Sequence, residues 1–403
     1  MATALLILAG AGVVLTTVQI LLVARLRRKS RPFARRGPGS GTDSRPAAST
    51  EAPRVSILKP LSDLDDDLAE NLASFARLRG VSYEVILAAG RPDDPAVHVA
   101  REVMRRFPSA PFRLVIGGPS RRAMTNRKVE RLVTARRLAA GEILFVSDSN
   151  VRVSPDDVAS TVALFDDPAV GCVSNLFVGE GARSFGASVD SLHLLTFVLP
   201  GTALAAASGV PCVVGKSMAL SRRALTAIGG FEAFLDVLAE DQAIGVAVRS
   251  AGFSVAVSPV VVKNVVVSRP LRAALARQAR WNKIRWSFSK SLYAGEFLLN
   301  PLPVSLLACA AATLAAPELL PSFAVAAGLL SFVRFAQTAA LARLTGARLP
   351  LAHLLALPLK DLLQFGAQFA PLFSREVRWH DTRARLGPGT VLLPSRREAA
   401  LAA

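Results

Sequence analysis

EILFVSDSN, residues 142–150, is the most informative stretch of this 403-residue chain. It opens as a short apolar run, Ile143-Leu144-Phe145-Val146, and stops on Ser147-Asp148-Ser149-Asn150. An apolar run of this length, bounded by polar turn-formers, reads as a buried strand of a parallel sheet. Ligands of open α/β sheets bind just beyond the carboxyl ends of such strands. A carboxylate placed there can hold a metal ion against a phosphate. Taken alone, Asp148 reads more readily as a cap on the turn or on the next helix.

The flanking sequence repeats the pattern. Val55–Leu58 is a candidate strand that ends at Lys59-Pro60-Leu61 and is followed by Asp63, Asp65, Asp66 and Asp67. Residues 68–78 then place Leu68, Leu72, Phe75 and Leu78 at helical spacing. Tyr83–Ala89 is a second strand, followed by an Asp93-Asp94-Pro95 turn and a helix to about Phe107; Phe112–Ile116 is a third strand, and a helix over 128–140 leads into residue 142. This alternation predicts a parallel, doubly wound α/β sheet. Residues 170–178 and 212–220 are further strand candidates, as are 254–259 and 260–267, and Asp241 lies near the start of a helix within 238–253. The apolar segment 186–207 reads as core in preference to an interfacial segment.

Composition points to a membrane. The chain is 51% hydrophobic and carries 48 Lys and Arg against 30 Asp and Glu, a formal charge of +18. Its mean hydropathy of +0.39 favours a lipid partner over nucleic acid as the reason for that charge. Cys172, Cys212 and Cys309 have no metal-binding or disulfide spacing and fit a reducing compartment. Residues 3–24 are uncharged and long enough to span a bilayer. Arg25, Arg27, Arg28, Lys29, Arg31, Arg35 and Arg36 follow them, which puts this side in the cytoplasm.

The expected order is an N-terminal transmembrane anchor (1–25), a basic flexible linker (26–53) and a catalytic domain (54–270). An interfacial helix (271–296), a membrane region (297–374) and a basic cytoplasmic tail (375–403) follow. Residues 298–317 and 322–342 read as spanning helices, with Arg334 in the second facing protein or water. Residues 351–373 contain Lys360, Asp361, Gln364 and Gln368; a span there would carry the basic tail outside, so this segment reads as re-entrant or interfacial.

The acids after predicted strands (63–67, Asp148) and at a helix start (Glu240-Asp241) precede a cationic, aromatic Arg277-x-x-Arg280-Trp281. Nucleotide-sugar transfer needs these groups. A diphosphate leaving group requires a divalent cation or Arg and Lys to stabilise it. An acceptor hydroxyl needs a carboxylate to take its proton. A guanidinium beside an indole can grip a diphosphate and stack on a ring.

In this order the motifs resemble those of the ceramide glucosyltransferases, a membrane-anchored branch of the processive-type GT-A glycosyltransferases. Lys59-Pro60-Leu61-x-x-x-Asp65 looks like their first acidic motif, and Ile116-Gly117-Gly118 with Asn126-x-Lys128 like the approach to the second. Asp148-Ser149-Asn150 matches the second, Glu240-Asp241 the third, Arg277-x-x-Arg280-Trp281 the fourth, and Val377-Arg378-Trp379 through Gly387 the closing segment. The resemblance implies a GT-A domain with an N-terminal anchor and C-terminal membrane helices. It also implies inverting transfer of a hexose, glucose from UDP-glucose, to the primary hydroxyl of ceramide. Within it, Asp65 contacts the base, Asp148 a divalent metal (Mg2+ or Mn2+) on the diphosphate, and Asp241 is the general base. Lys128, Arg277, Arg280 and Trp281 bind the donor, and His193 and Glu240 lie near the donor or acceptor pocket. Asn150 stands where a D-x-D enzyme has its second acid, and Gln242 where an aromatic is expected, so metal binding and acceptor preference are the points of departure. Transfer to a hopanoid or another lipid on the same fold is the nearest alternative; a non-enzymatic basic membrane-surface protein is the alternative from another class.

Overall fold

The computed structural model describes residues 1–29, 54–118, 124–379 and 382–394. Of the expected linker over 26–53, residues 26–29 continue the first helix and 30–53 lie outside the described residues, as does the end of the basic tail. The chain forms two compact units: Arg25–Val178 with Ala205–Val266, and Met1–Ala24 with Gly179–Leu204 and Val267–Ala403. The expected boundary at 270 is thus interrupted, because 179–204 groups with the second, helical unit.

The first unit is built on eight strands: β1 (Val55–Leu61), β2 (Tyr83–Ala89), β3 (Phe112–Ile116), β4 (Ile143–Ser147), β5 (Val151–Arg152), β6 (Val170–Glu180), β7 (Ser217–Ser221) and β8 (Ser254–Val265). Their order is β3-β2-β1-β4-β7-β6-β8-β5. The half predicted from strand–helix alternation is parallel: β1 pairs β2 and β4, and β2 pairs β3, all in parallel. The other half corrects the expectation of a wholly parallel sheet. β7 runs antiparallel to β4 and to β6, and β5 antiparallel to β8. Apolar runs encode burial and leave direction open. The two strands expected over 254–267 are one, which passes through Pro259.

The strand order places the site. From β1 the chain moves one way to β2 and β3, then returns to the other side of β1 as β4. That reversal is a topological switch point, where a crevice opens outside the carboxyl ends of β1 and β4. Val55, Ile57, Leu58, Leu144, Phe145 and Val146 have no solvent exposure, which explains why both strands read as largely apolar runs, with Ser56 and Lys59 the buried polar exceptions in β1. Caps fix the flanking helices. Asp94 accepts from Ala96 N–H at 3.0 Å with Pro95 at the first turn, and Asn126 accepts from Lys128 and Val129 N–H at 3.0 and 3.2 Å.

In the helical unit, Ala2–Arg28, Phe185–Ala207 and Pro317–Thr345 are long and apolar enough to cross a membrane. The span expected over 298–317 is instead a bent pair, Lys290–Leu299 and Pro301–Ala315, turning by 74°. Residues 351–373 form three short helices, Leu351–Leu355, Leu357–Ala367 and Ala370–Phe373, each shorter than a span requires. Arg334 faces protein, as its cost in lipid demands: its guanidinium pairs with Asp361, which also accepts from Lys360 Nζ at 2.9 Å.

Gly141 sits where the approach to β4 meets β1. Its N–H donates to Ser56 Oγ at 2.8 Å, and a Cβ there would lie 2.6 Å from the backbone nitrogen of Ser56. Gly141→Ala is expected to destabilise the protein by about 1–3 kcal/mol, the usual cost of overpacking, seen as a lower thermal midpoint of the purified protein.

Candidate active site

Asp148 follows β4 at the switch point, and its carboxylate caps neither the turn nor a helix. Oδ1 accepts from Lys128 Nζ at 2.8 Å and Oδ2 from Lys216 Nζ at 2.9 Å. Burial alone would raise its pKa, but the two ammoniums outweigh burial and hold it well below the usual carboxylate range. About a fifth of the side chain remains exposed. Behind it, Lys59 on β1 is fully buried, donates to the Asp148 carbonyl at 2.8 Å and to Ser147 Oγ at 3.2 Å, and lies 4.0 Å from the Phe75 ring centre. Burial pushes its amine down to about 7 against the pull of Asp148 and Asp65.

Lys128 joins the second and third acidic motifs. Its ammonium also contacts Glu240 Oε1 at 2.9 Å and donates to the Gly215 carbonyl at 3.1 Å. Burial lowers its pKa, and the carboxylates of Asp148, Glu240 and Asp241 more than restore it. Glu240 is nearly sealed: Oε2 accepts from Asn126 Nδ2 at 2.9 Å, and Asn126 Nδ2 also donates to the Val237 carbonyl at 2.8 Å. Glu240 therefore anchors the start of the helix Glu240–Ser250, whereas its neighbour Asp241 is half-buried. Asp241 Oδ2 accepts from Gly215 N–H at 2.5 Å and Oδ1 from Gln242 N–H at 2.8 Å. Burial, with Glu240 adding, pushes Asp241 up to about 6 in spite of Lys128.

The structure thus brings Asp148, Lys128, Glu240 and Asp241 together. Asp65 joins them through Ser149, whose hydroxyl donates to its carboxylate. Sequence reasoning missed Lys216 and Gly215. Residues 212–220 were expected to be one strand, but the ladder begins only at Ser217. Gly215 spends its N–H on Asp241 and its carbonyl on Lys128, and a Cβ there would lie 2.9 Å from both Asp241 Oδ2 and Lys128 Nζ. A Gly-Lys pair interrupting an apolar run was the available signal.

Among the described residues no three His, Cys, Asp or Glu side chains converge as a metal site. The donor set nonetheless suits a hard cation completed by phosphates, since Asp148 offers a partly exposed carboxylate with Asn150 two residues on. Such a cation would share its oxygens with two ammoniums.

The fourth motif belongs to the helical unit. Arg277 lies on the helix Leu271–Phe288 and, with Arg269, pairs with the buried Asp190. Its guanidinium stands 4.5 Å from the Trp281 ring centre. His193 is stacked on Phe197 at 5.1 Å and lies 6.0 Å from Trp281, with both ring nitrogens buried and unpartnered among the described residues. A π-helical turn, Leu194–Val198, starts immediately after His193; such turns are frequent at functional sites. Arg280 makes no hydrogen bond or ion pair among the described residues and is only part-buried. Burial, with Arg277 and Arg269 nearby, pushes it down to about 10. Asp190 thus neutralises one arginine of the motif and leaves the other available to an anion.

The model of the family described as Glycosyl transferase family 21 matches residues 4–392. Ceramide glucosyltransferase 3 of Caenorhabditis elegans is 28% identical over 264 residues, covering 63% of this chain and 55% of that protein. Ceramide glucosyltransferase 1 of the same organism is 28% identical over 251 residues, covering 60% and 52%. The chain spans about half the length of these curated relatives. The solved mannosyltransferase PcManGT from Pyrobaculum calidifontis, in complex with GDP-Man and Mn2+, aligns with a TM-score of 0.51 at 22% identity, over 91% of this chain and 99% of that one. That likeness is one of fold.

Glu240→Gln keeps an acceptor for Asn126 but withdraws one counter-charge from Lys128. It is expected to cost about 1–3 kcal/mol, the range for losing a charged hydrogen bond, measured by thermal unfolding alongside the wild type.

Proposed function

The chain belongs to glycosyl transferase family 21, and on that premise we propose that it moves a hexose, glucose from UDP-glucose, to the primary hydroxyl of ceramide at a membrane surface. One observation carries the reading: Asp241, a half-buried acid with its pKa raised to about 6, shares Lys128 with an acid at the sheet's switch point. A general base works best with a pKa near the working pH. The relatives' names supply glucose and ceramide.

In the proposed step the acceptor oxygen attacks the anomeric carbon as the bond from that carbon to the diphosphate oxygen breaks. The proton passes to Asp241, the electron pair leaves with the diphosphate, and the single displacement inverts the anomeric centre. Two backbone N–H groups hold the Asp241 carboxylate, which fixes its oxygens before the acceptor arrives. Lys128, whose three donors are held by Asp148, Glu240 and the Gly215 carbonyl, would act on the leaving diphosphate through its charge. By the family resemblance Arg277, Arg280 and Trp281 are the further candidates for donor contacts, Arg277 lying beside the Trp281 ring and the Arg280 guanidinium unpaired among the described residues. Asp65 is the candidate partner for the base, steadied by Ser149. A divalent cation held by Asp148 and the donor phosphates would supply Lewis-acid stabilisation of the leaving group. Under this reading the site works at the cytoplasmic face of a membrane, which the helices long enough to span and the arginines that follow the first of them support.

Membranes carrying the protein, given labelled UDP-glucose, UDP-galactose, UDP-GlcNAc or UDP-glucuronate with ceramide or a hopanoid, test the assignment by lipid mass. Glucosylceramide is expected; product only on the hopanoid would replace the acceptor, and no glycolipid from any pairing would sink the reading. The pH profile tests the base. Asp241 acts only when ionised, so the transfer rate should fall as pH drops through about 6. Asp241→Asn should lose roughly 10²–10⁴-fold in rate, the usual contribution of a positioned base, with membrane association unchanged.

A further inference from the structure

Lys216 is unlike the other two lysines at this site. Lys59 is sealed behind the sheet edge and holds backbone. Lys128 is shared between two motifs and so joins separate segments. Lys216 stands just before β7, with 16% of its side chain exposed beside an Asp148 that is 21% exposed. It contacts Asp148 Oδ2 at 2.9 Å and donates to Asn150 Oδ1 at 3.1 Å. An ammonium has three donors, so one remains after these two contacts. Asp148 already has Lys128 as a counter-ion, so Lys216 places a second positive charge on a carboxylate that needs only one.

Asn150 makes the same point from the other side. A carboxylate at this position would add a second hard anionic ligand beside Asp148. The amide instead offers a neutral oxygen, and that oxygen receives an ammonium. The sequence has thus removed a negative charge where a divalent cation would gain from it, and has set a fixed positive charge against the same atoms. A cation approaching Asp148 Oδ2 meets a like charge within hydrogen-bond distance of that oxygen. An incoming diphosphate meets a cation already in place.

We propose that Lys216 is a resident cation of the donor site, binding the diphosphate directly and competing with a divalent metal for Asp148, so that a nucleoside diphosphate binds this protein without metal. The inference rests on the donor-site reading above. It makes the metal auxiliary to donor binding and gives Lys216 part of the charge-neutralising role that a D-x-D site gives to a metal. Lysine suits that role as a compact point charge on a flexible stem, able to move from the carboxylate to a phosphate oxygen without leaving the site.

The test uses full-length protein in detergent, with UDP as the probe, titrated calorimetrically in EDTA and in Mn2+. Wild-type affinity for UDP in EDTA should be within about threefold of that in Mn2+, because the lysines already neutralise the diphosphate. Lys216→Met should weaken binding in EDTA by roughly tenfold or more, with Mn2+ recovering most of the loss, whereas Lys216→Arg should retain it. A second readout needs no nucleotide. Mn2+ bound to the protein alone, followed by electron paramagnetic resonance, should tighten by about tenfold or more in Lys216→Met, since the competing charge is gone. Asn150→Asp, which leaves Lys216 in place, should also tighten Mn2+ by supplying a second carboxylate, and it serves if the methionine variant does not fold. Wild-type UDP binding only in Mn2+, or affinities unmoved by Lys216→Met or Asn150→Asp, would overturn the proposal. No UDP binding in either medium would overturn the donor-site reading itself and the proposal with it.

Discussion

The catalytic unit depends on one ammonium. Lys128 contacts Asp148 after β4, Glu240 at a helix start and the Gly215 carbonyl before β7, three segments far apart in the chain. Taking a lysine and two carboxylates out of water is costly, and the cost is offset only where the geometry leaves few donors unmet. Here every donor of the ammonium has an oxygen within 3.1 Å. Asn126 supplies the mechanical link: it caps the helix that carries Lys128 and holds Glu240 and the Val237 carbonyl with its amide nitrogen. Moving any of these segments would strand a buried charge, so the acids at the switch point are fixed relative to one another before any ligand arrives.

Much of this was legible in the sequence, and for physical reasons. β1 and β4 are buried on both faces, so they read as largely apolar runs with sharp polar ends, and the functional groups lie at those ends. Asp148 was therefore found at a strand end, whereas Glu240 and Asp241 were picked out at a helix start and Lys128 by the family resemblance alone. Strand direction beyond β4 was not legible, because burial leaves the same mark on parallel and antiparallel strands. Lys216 was hidden for a related reason: a lysine in an apolar run reads as a strand position turned to solvent, and only the tertiary fold sets it against Asp148. Asp190 was hidden inside an apolar segment, although its two arginine partners make it the pivot of the fourth motif.

The helical unit handles charge by a similar rule. Two cations share one carboxylate at Asp190, and two share another at Asp361. The first pairing explains how a helix with arginines one turn apart can have one in a salt bridge and one without a counter-ion among the described residues. Arg277 is held against Trp281 and Asp190, while Arg280 has no counter-ion among the described residues and has its basicity lowered by burial and by its cationic neighbours. A guanidinium in that condition gains more from an incoming phosphate than one already paired.

Charge balance at the sheet edge links this arrangement to the proposed chemistry. Two largely buried ammoniums, Lys128 and Lys216, stand among three carboxylates, Asp148, Glu240 and Asp241. Asp241 is the one whose pKa is raised, through burial and the neighbouring Glu240, so it is the one positioned to take up a proton. Once it does, its negative charge disappears and the ammoniums balance the two carboxylates that remain. In the proposed step this happens as the diphosphate gains charge. Deprotonating the acceptor would therefore make the site more hospitable to the leaving group, and the two halves of the reaction are coupled through Lys128, which senses both carboxylates.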